Sequence, residues 1–158
     1  METSLERFFA IIGKDMNTMQ QRVAVRAVII SEGKVLILRE SSAYKGGTNH
    51  GKYDFPGGKI NPGETIEEAL RRETKEECGL QIVPGKLIAV EEWRPKVPEG
   101  QLQIFGLFYI CTLRPHFEVV LGRDHDDHKW IEPRHLEEYP LTDATRATVK
   151  SLLKLIGM

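Results

Sequence analysis

Cysteine is scarce in this chain: two thiols, Cys78 and Cys111, stand among 158 residues. They form no C-x-x-C pair and no evenly spaced framework, so a disulfide scaffold is excluded and two reduced, partly buried thiols are expected. An excess of charge is also missing, since Lys+Arg number 22 against 23 Asp+Glu. No global field therefore draws the chain to nucleic acid or to an anionic membrane, and an anionic substrate must be attracted locally. Long apolar runs are absent. The stretch Phe8-Phe9-Ala10-Ile11-Ile12 is short and follows Glu2, Glu6 and Arg7, so it reads as neither a signal peptide nor a membrane span, and a cytoplasmic address is expected. There is no internal repeat and no low-complexity segment.

What is present suits one soluble α/β domain over residues 1–158, with 41% apolar and 28% charged residues. Thr3 and Glu6 are spaced as a capping box and Gly13 could end a helix, which makes residues 1–20 an N-terminal helical extension. Its apolar segment 5–12 could pack on a second copy as readily as on its own domain, leaving a homodimer open. Residues 22–30 are β-branched and read as a strand, with Glu32-Gly33 as a turn and 35–38 as its hairpin partner. A long polar loop, 41–52, follows. Residues 65–78 read as a helix capped by Thr65 and Glu68 and stopped at Gly79. Strands are expected at 81–91 and 102–113, the second buried on both faces, with shorter ones at 117–121 and 128–131. A last helix over 143–156 carries Val149, Leu152, Leu153 and Ile156 at helical spacing. The order implies a mixed β-sheet covered by helices.

The helix from Thr65 breaks a local rule. With Glu73 as origin and roughly 100° per residue, Ile66, Ala69, Leu70 and Leu80 fall within about 60° and should face the protein. Glu76 and Glu77 fall in the same sector, whereas Glu67, Glu68, Arg71, Arg72 and Lys75 lie opposite. Three inward carboxylates repel one another and lose hydration unless they take up protons or share a cation. Crowded hard oxygens favour Mg²⁺ or Mn²⁺, and no Cys or His partner points to zinc. The competing reading is an ordinary acidic helix whose glutamates pair with Arg71, Arg72 and Lys75.

The flanking residues decide between them. Gly58, Glu64, Arg72, Glu73, Glu76, Glu77, Gly79 and Leu80 stand as G-x5-E-x7-R-E-x-x-E-E-x-G-[apolar] in GKINPGETIEEALRRETKEECGL, residues 58–80, just after Phe55-Pro56-Gly57. This closely resembles the Nudix box; only Thr74 departs, where an aliphatic residue is commoner. The resemblance implies an α/β/α sandwich and hydrolysis of a nucleoside diphosphate linked to another group. It implies that Glu73, Glu76 and Glu77 hold divalent cations, Mg²⁺ or Mn²⁺, with the Gly58 carbonyl and Glu64 as further ligands. Arg72 would orient the glutamates through charge-assisted hydrogen bonds. The implied partner is a small-molecule nucleotide, with no stable nucleic-acid or membrane association.

Other residues give weaker signals. The family sometimes draws an extra ligand or base from a second acidic loop, which makes Asp124, then Asp127, the candidates in Asp124-His125-Asp126-Asp127-His128; a solvated turn is the alternative. An EF-hand lacks its Gly and distal Glu there, and the two histidines are too few for zinc. Trp93, with Arg94 beside it, is the favoured platform for a base over Tyr53, Tyr44 and Phe105. Lys52 and Lys45 are candidates for phosphate. Pro95 stands where some ADP-ribose-cleaving members carry proline, whereas the tyrosine of dinucleoside-tetraphosphate members is missing. The readings that compete with a nucleotide hydrolase are an inactive nucleotide-binding module, disfavoured by the complete glutamate set, and a prenyl-diphosphate isomerase, disfavoured by the lack of a cysteine in 22–38.

Overall fold

The computed structural model describes residues 3–4, 19–98, 100–115 and 118–158. The expected helix end at Gly13, the cap partner Glu6, the apolar segment 5–12 and Phe117 lie outside the described residues. The described strands are β1 (Met19–Ser31), β2 (Lys34–Glu40), β3 (Tyr53–Asp54), β4 (Gly57–Lys59), β5 (Ile82–Trp93), β6 (Gln101–Leu113) and β7 (His125–Ile131). The helices are α1 (Ile66–Cys78) and α2 (Asp143–Leu155), and a 3-10 turn spans Pro133–Glu138.

Alternation along the strands explains the layering. Val25, Ala27 and Ile29 of β1, with Leu36 and Leu38 of β2, pack on Ala69, Leu70 and Cys78 of α1. The intervening Val28, Val35 and Ile37 pack instead on Val149 and Leu152 of α2. A strand has a side-chain period of two, so apolar residues in both phases require a helix on each face. The result is the expected α/β/α sandwich. The sheet runs β3-β2-β1-β6-β5, with β4 added to β1 and β7 to β2. It is mixed, since β1 and β6 are parallel while β1 pairs antiparallel with β2 and β4. β6 lies between β1 and β5, and its two faces contribute to both layers, Cys111 on the α1 side and Phe108 on the α2 side, as its apolar run suggested.

Helix α1 carries the complete Thr65–Glu68 capping box and ends at Gly79 with φ 71°. Its inward face is rotated from the expected one. The buried residues are Ala69, Leu70, Thr74 and Cys78, so the sector centres nearer Leu70, Thr74 and Glu77 than Glu73. Ile66, in the first turn, is 37% exposed as a consequence. Thr74 is fully buried, and its hydroxyl lacks a hydrogen-bond partner among the described residues, a cost that an aliphatic side chain would avoid.

Residues 118–121 are not the strand that was expected. Val120 N–H donates to the Cys78 carbonyl at 2.9 Å and Gly122 N–H to that of Glu77 at 2.9 Å. The segment thus satisfies open carbonyls at the end of α1. β7 starts three residues earlier than expected, so Asp126 and Asp127 belong to a strand paired with β2 and not to a turn. At α2, Thr142 caps the N-terminus, and Ile156 is exposed.

Candidate active site

The site lies where β1 changes partners. Residues Ala24, Val25 and Arg26 pair with β4, whereas Ile30 and Ser31 pair with β2. β4 can lie this close only because of its glycines. Gly57 has φ 155°, and a Cβ there would stand 2.0 Å from the Val25 carbonyl oxygen. A Cβ on Gly58 would stand 2.5 Å from the Glu73 carboxylate carbon. The backbone of β4 is therefore pressed against the carboxylates of α1, and the Gly57 N–H donates to Glu77 Oε2 at 2.9 Å.

Arg72 ties the helix to the loop before it. Its guanidinium donates to Glu64 at 2.6 and 2.8 Å, to Glu73 at 2.7 Å and to the Lys59 carbonyl at 3.1 Å. These contacts raise the Arg72 pKa further, chiefly through Glu64. Glu64 also accepts from the Asn61 N–H, and the Arg72 hydrogen bond is the main cause holding its carboxyl down at about 2. Glu77 is the opposite case: burial pushes its carboxyl up from 4.5 to about 8, opposed by Arg26 and by the Gly57 N–H.

A cleft of about 470 Å³ opens above this floor. Of the residues singled out from the sequence, Gly58, Glu73, Glu77, Asp124, Lys52, Trp93, Tyr44 and Pro95 line it. Glu64 and Arg72 stand behind it as a mutual ion pair. Glu76 does not share the inward face: its side chain is 60% exposed, with a 3.4 Å contact to Arg72, because the helix is rotated toward Thr74. Tyr53 is only 3% exposed and packs in the core on the α2 side. Its hydroxyl donates to Asp127 at 2.5 Å, so this ring is not the open platform expected for a base. Asp127 is engaged there and by Lys129 at 3.4 Å, which separates it from the cleft-lining Asp124. Arg94 lines an adjoining hollow of about 460 Å³.

Trp93 reaches the cleft across Gly106, where a Cβ would come within 2.4 Å of its ring. Among the lining residues that the sequence did not single out are Arg26 and Asp54, joined by a 3.2 Å ion pair. The signal for Arg26 was a charge in the middle of an otherwise apolar strand; Asp54 had none.

Among the described residues, no three acidic, histidine or cysteine side chains are gathered as a ready metal site. Glu73 is turned onto Arg72, and Glu76 toward solvent. The donor set nonetheless fits a hard divalent cation. It is all oxygen, the Gly58 backbone is open to Glu73, and the half-buried Glu77 carboxyl is held above its ordinary pKa by lost hydration, which a cation would offset.

The model of the NUDIX domain family matches residues 20–152. The nucleoside triphosphatase NudI of Klebsiella pneumoniae (strain 342) is 31% identical over 140 residues, covering 83% of this chain and 96% of that protein. NudI of Escherichia coli O1:K1 / APEC is 32% identical over 141 residues, with 84% and 96% covered. The crystal structure of a MutT protein from Methanosarcina mazei Go1 superposes with a TM-score of 0.71 at 26% identity, covering 89% of this chain and 98% of that one.

Proposed function

The chain belongs to the Nudix family and is a pyrophosphohydrolase of it, and from that premise we propose that it cuts a nucleoside triphosphate into a nucleoside monophosphate and pyrophosphate in a Mg²⁺-dependent reaction. The observation that carries this reading is the half-buried Glu77 carboxyl beside Glu73 and the glycine backbone of β4, on the floor of a cleft walled by Trp93. The NudI relatives, named nucleoside triphosphatases and matched over 96% of their length, support the substrate class.

Glu73, Glu77 and Glu76 would hold Mg²⁺, or Mn²⁺ in its place, with the Gly58 carbonyl. Glu64 acts through Arg72, which it fixes from behind. When bound, the cations supply Lewis-acid polarisation of the diphosphate and a more acidic water. The chain's own residues do the rest. Arg72 holds Glu73 in orientation, Lys52 meets phosphate charge and Trp93 stacks the base. Water adds its oxygen to one phosphorus of the diphosphate, the bridging P–O bond breaks, and Asp124 accepts the proton that water gives up.

A second reading, a nucleotide sugar or ADP-ribose as substrate, is favoured by the adjoining hollow, which Pro95 lines together with the cleft. Phosphorus NMR on a panel of nucleoside triphosphates, nucleotide sugars, ADP-ribose and dinucleoside polyphosphates with Mg²⁺ decides between the two. Conversion of a triphosphate to monophosphate and pyrophosphate is expected. Turnover of the sugar-linked substrates alone would favour the second reading, and no turnover of any would favour a binding module. Among the described residues, no helix is long and apolar enough to cross a membrane.

A further inference from the structure

Arg26 occupies a position that strand geometry assigns to the core. Its neighbours Val25 and Ala27 point to the α1 side, so Arg26 shares the other face of β1 with Val28, which is packed under α2. Its side chain is 17% exposed. A guanidinium in such a place loses hydration worth several kcal/mol, and a well-packed apolar residue is often the more stable choice.

The surroundings compensate for that cost only in part. Arg26 Nε lies 3.2 Å from Asp54 Oδ2, and the guanidinium carbon lies 5.9 Å from the centre of the Trp93 ring. Asp54 is itself fixed by the Phe55 N–H at 2.7 Å and by the Thr145 hydroxyl. Yet the buried Arg26 Nε–H finds no well-aligned hydrogen-bond partner among the described residues. The charge is thus anchored at an enclosed Nε, and it is the rest of the guanidinium that Arg26 presents where it lines the cleft.

Its place in the cleft indicates what the outer guanidinium faces. Arg26, Asp54, Trp93 and Pro95 line both the main cleft and the adjoining hollow, whereas Glu73 and Glu77 line the main cleft alone. Arg26 therefore stands between the carboxylate end and the aromatic end. A nucleotide with its base on Trp93 and its diphosphate toward the glutamates passes its first phosphate across Arg26. A planar guanidinium fork matches phosphate oxygens, which an ammonium does as a point charge only.

We propose that Arg26 is a substrate-binding residue that clasps the phosphate next to the nucleoside, with Asp54 as the positioning residue that aims it. This rests on the reading of the cleft as a nucleotide pyrophosphohydrolase site.

The test uses Arg26→Met, Arg26→Lys and the double variant Arg26→Met/Asp54→Asn. Each is assayed on the best nucleoside triphosphate of the panel, with inhibition by its monophosphate and by inorganic pyrophosphate. Arg26→Met should raise KM roughly tenfold or more and weaken monophosphate inhibition in proportion, leaving pyrophosphate inhibition within about twofold. Arg26→Lys should fall between. The double variant, which removes the stranded Asp54 charge and guards against misfolding of the single one, should regain Tm but not KM. Recovery of KM in the double variant would make Arg26 a mere counterion of Asp54 and overturn the proposal. So would unchanged monophosphate inhibition in every variant while wild type is active and Glu77→Gln is not. No nucleotide turnover by wild type, or full activity of Glu77→Gln, would instead remove the underlying reading, and the role of Arg26 with it.

Discussion

Glu77→Gln should lower turnover roughly a thousandfold, about 4 kcal/mol in barrier height, and yet make the metal-free protein more stable at pH 8. Both effects follow from one side chain. Its carboxyl is half-buried, accepts the Gly57 N–H and lines the cleft. Burial raises its pKa from 4.5 to about 8. A folded-state value above the unfolded one means that the folded protein binds the extra proton. The associated stability is complete below about pH 4.5 and is lost as pH rises to about 8. In EDTA, wild-type stability should fall across that window, by on the order of a few kcal/mol at pH 8, and Tm with it. Glu77→Gln, neutral throughout, should show no such fall, and adding Mg²⁺ should raise the wild-type Tm at pH 8 but not that of the variant. A pH-independent difference between the two proteins would contradict this.

Gly58→Ala should separate activity from stability. The added Cβ meets the end of the flexible Glu73 side chain at 2.5 Å, which can swing aside at little cost to folding. The swing breaks the 2.7 Å contact with Arg72 and moves a proposed ligand, so kcat should drop roughly a hundredfold, about 3 kcal/mol. Gly57→Ala is the informative contrast. Its Cβ meets the Val25 backbone oxygen at 2.0 Å, and a backbone cannot swing aside. That variant should lose about 3 kcal/mol or more of stability, read by urea denaturation. If Gly58→Ala kept wild-type kcat, the closeness of β4 to Glu73 would be irrelevant to catalysis.

The sandwich was legible because β1 and β2 carry apolar residues in both strand phases, and because α1 has its whole capping signature in local sequence. β4 was not legible: three residues, two of them glycine, form a strand only because β1 supplies the partner. The acidic run before Trp130 looked like a turn, since its pairing with β2 is tertiary information. Of the residues of the box, the fold brings Glu73, Glu77 and Gly58 to one cleft. The helical wheel misjudged Glu76 because Thr74, polar by type, is a core residue that rotates the buried face. Tyr53 could not be told from a base platform, since its hydroxyl is satisfied by Asp127 from a distant strand. Arg26 carried a signal, a charge inside an apolar strand, whose meaning depends on Asp54 and Trp93 arriving beside it.

Hydrolysis in ¹⁸O-water, followed by phosphorus NMR on the products, tests most directly whether this cleft cuts a diphosphate by attack of water on phosphorus. Wild type with Mg²⁺ should place the label on a phosphorus product, through a bond made by the water oxygen, and Glu77→Gln should give almost none in the same time. Products formed with no label on any phosphorus would contradict it.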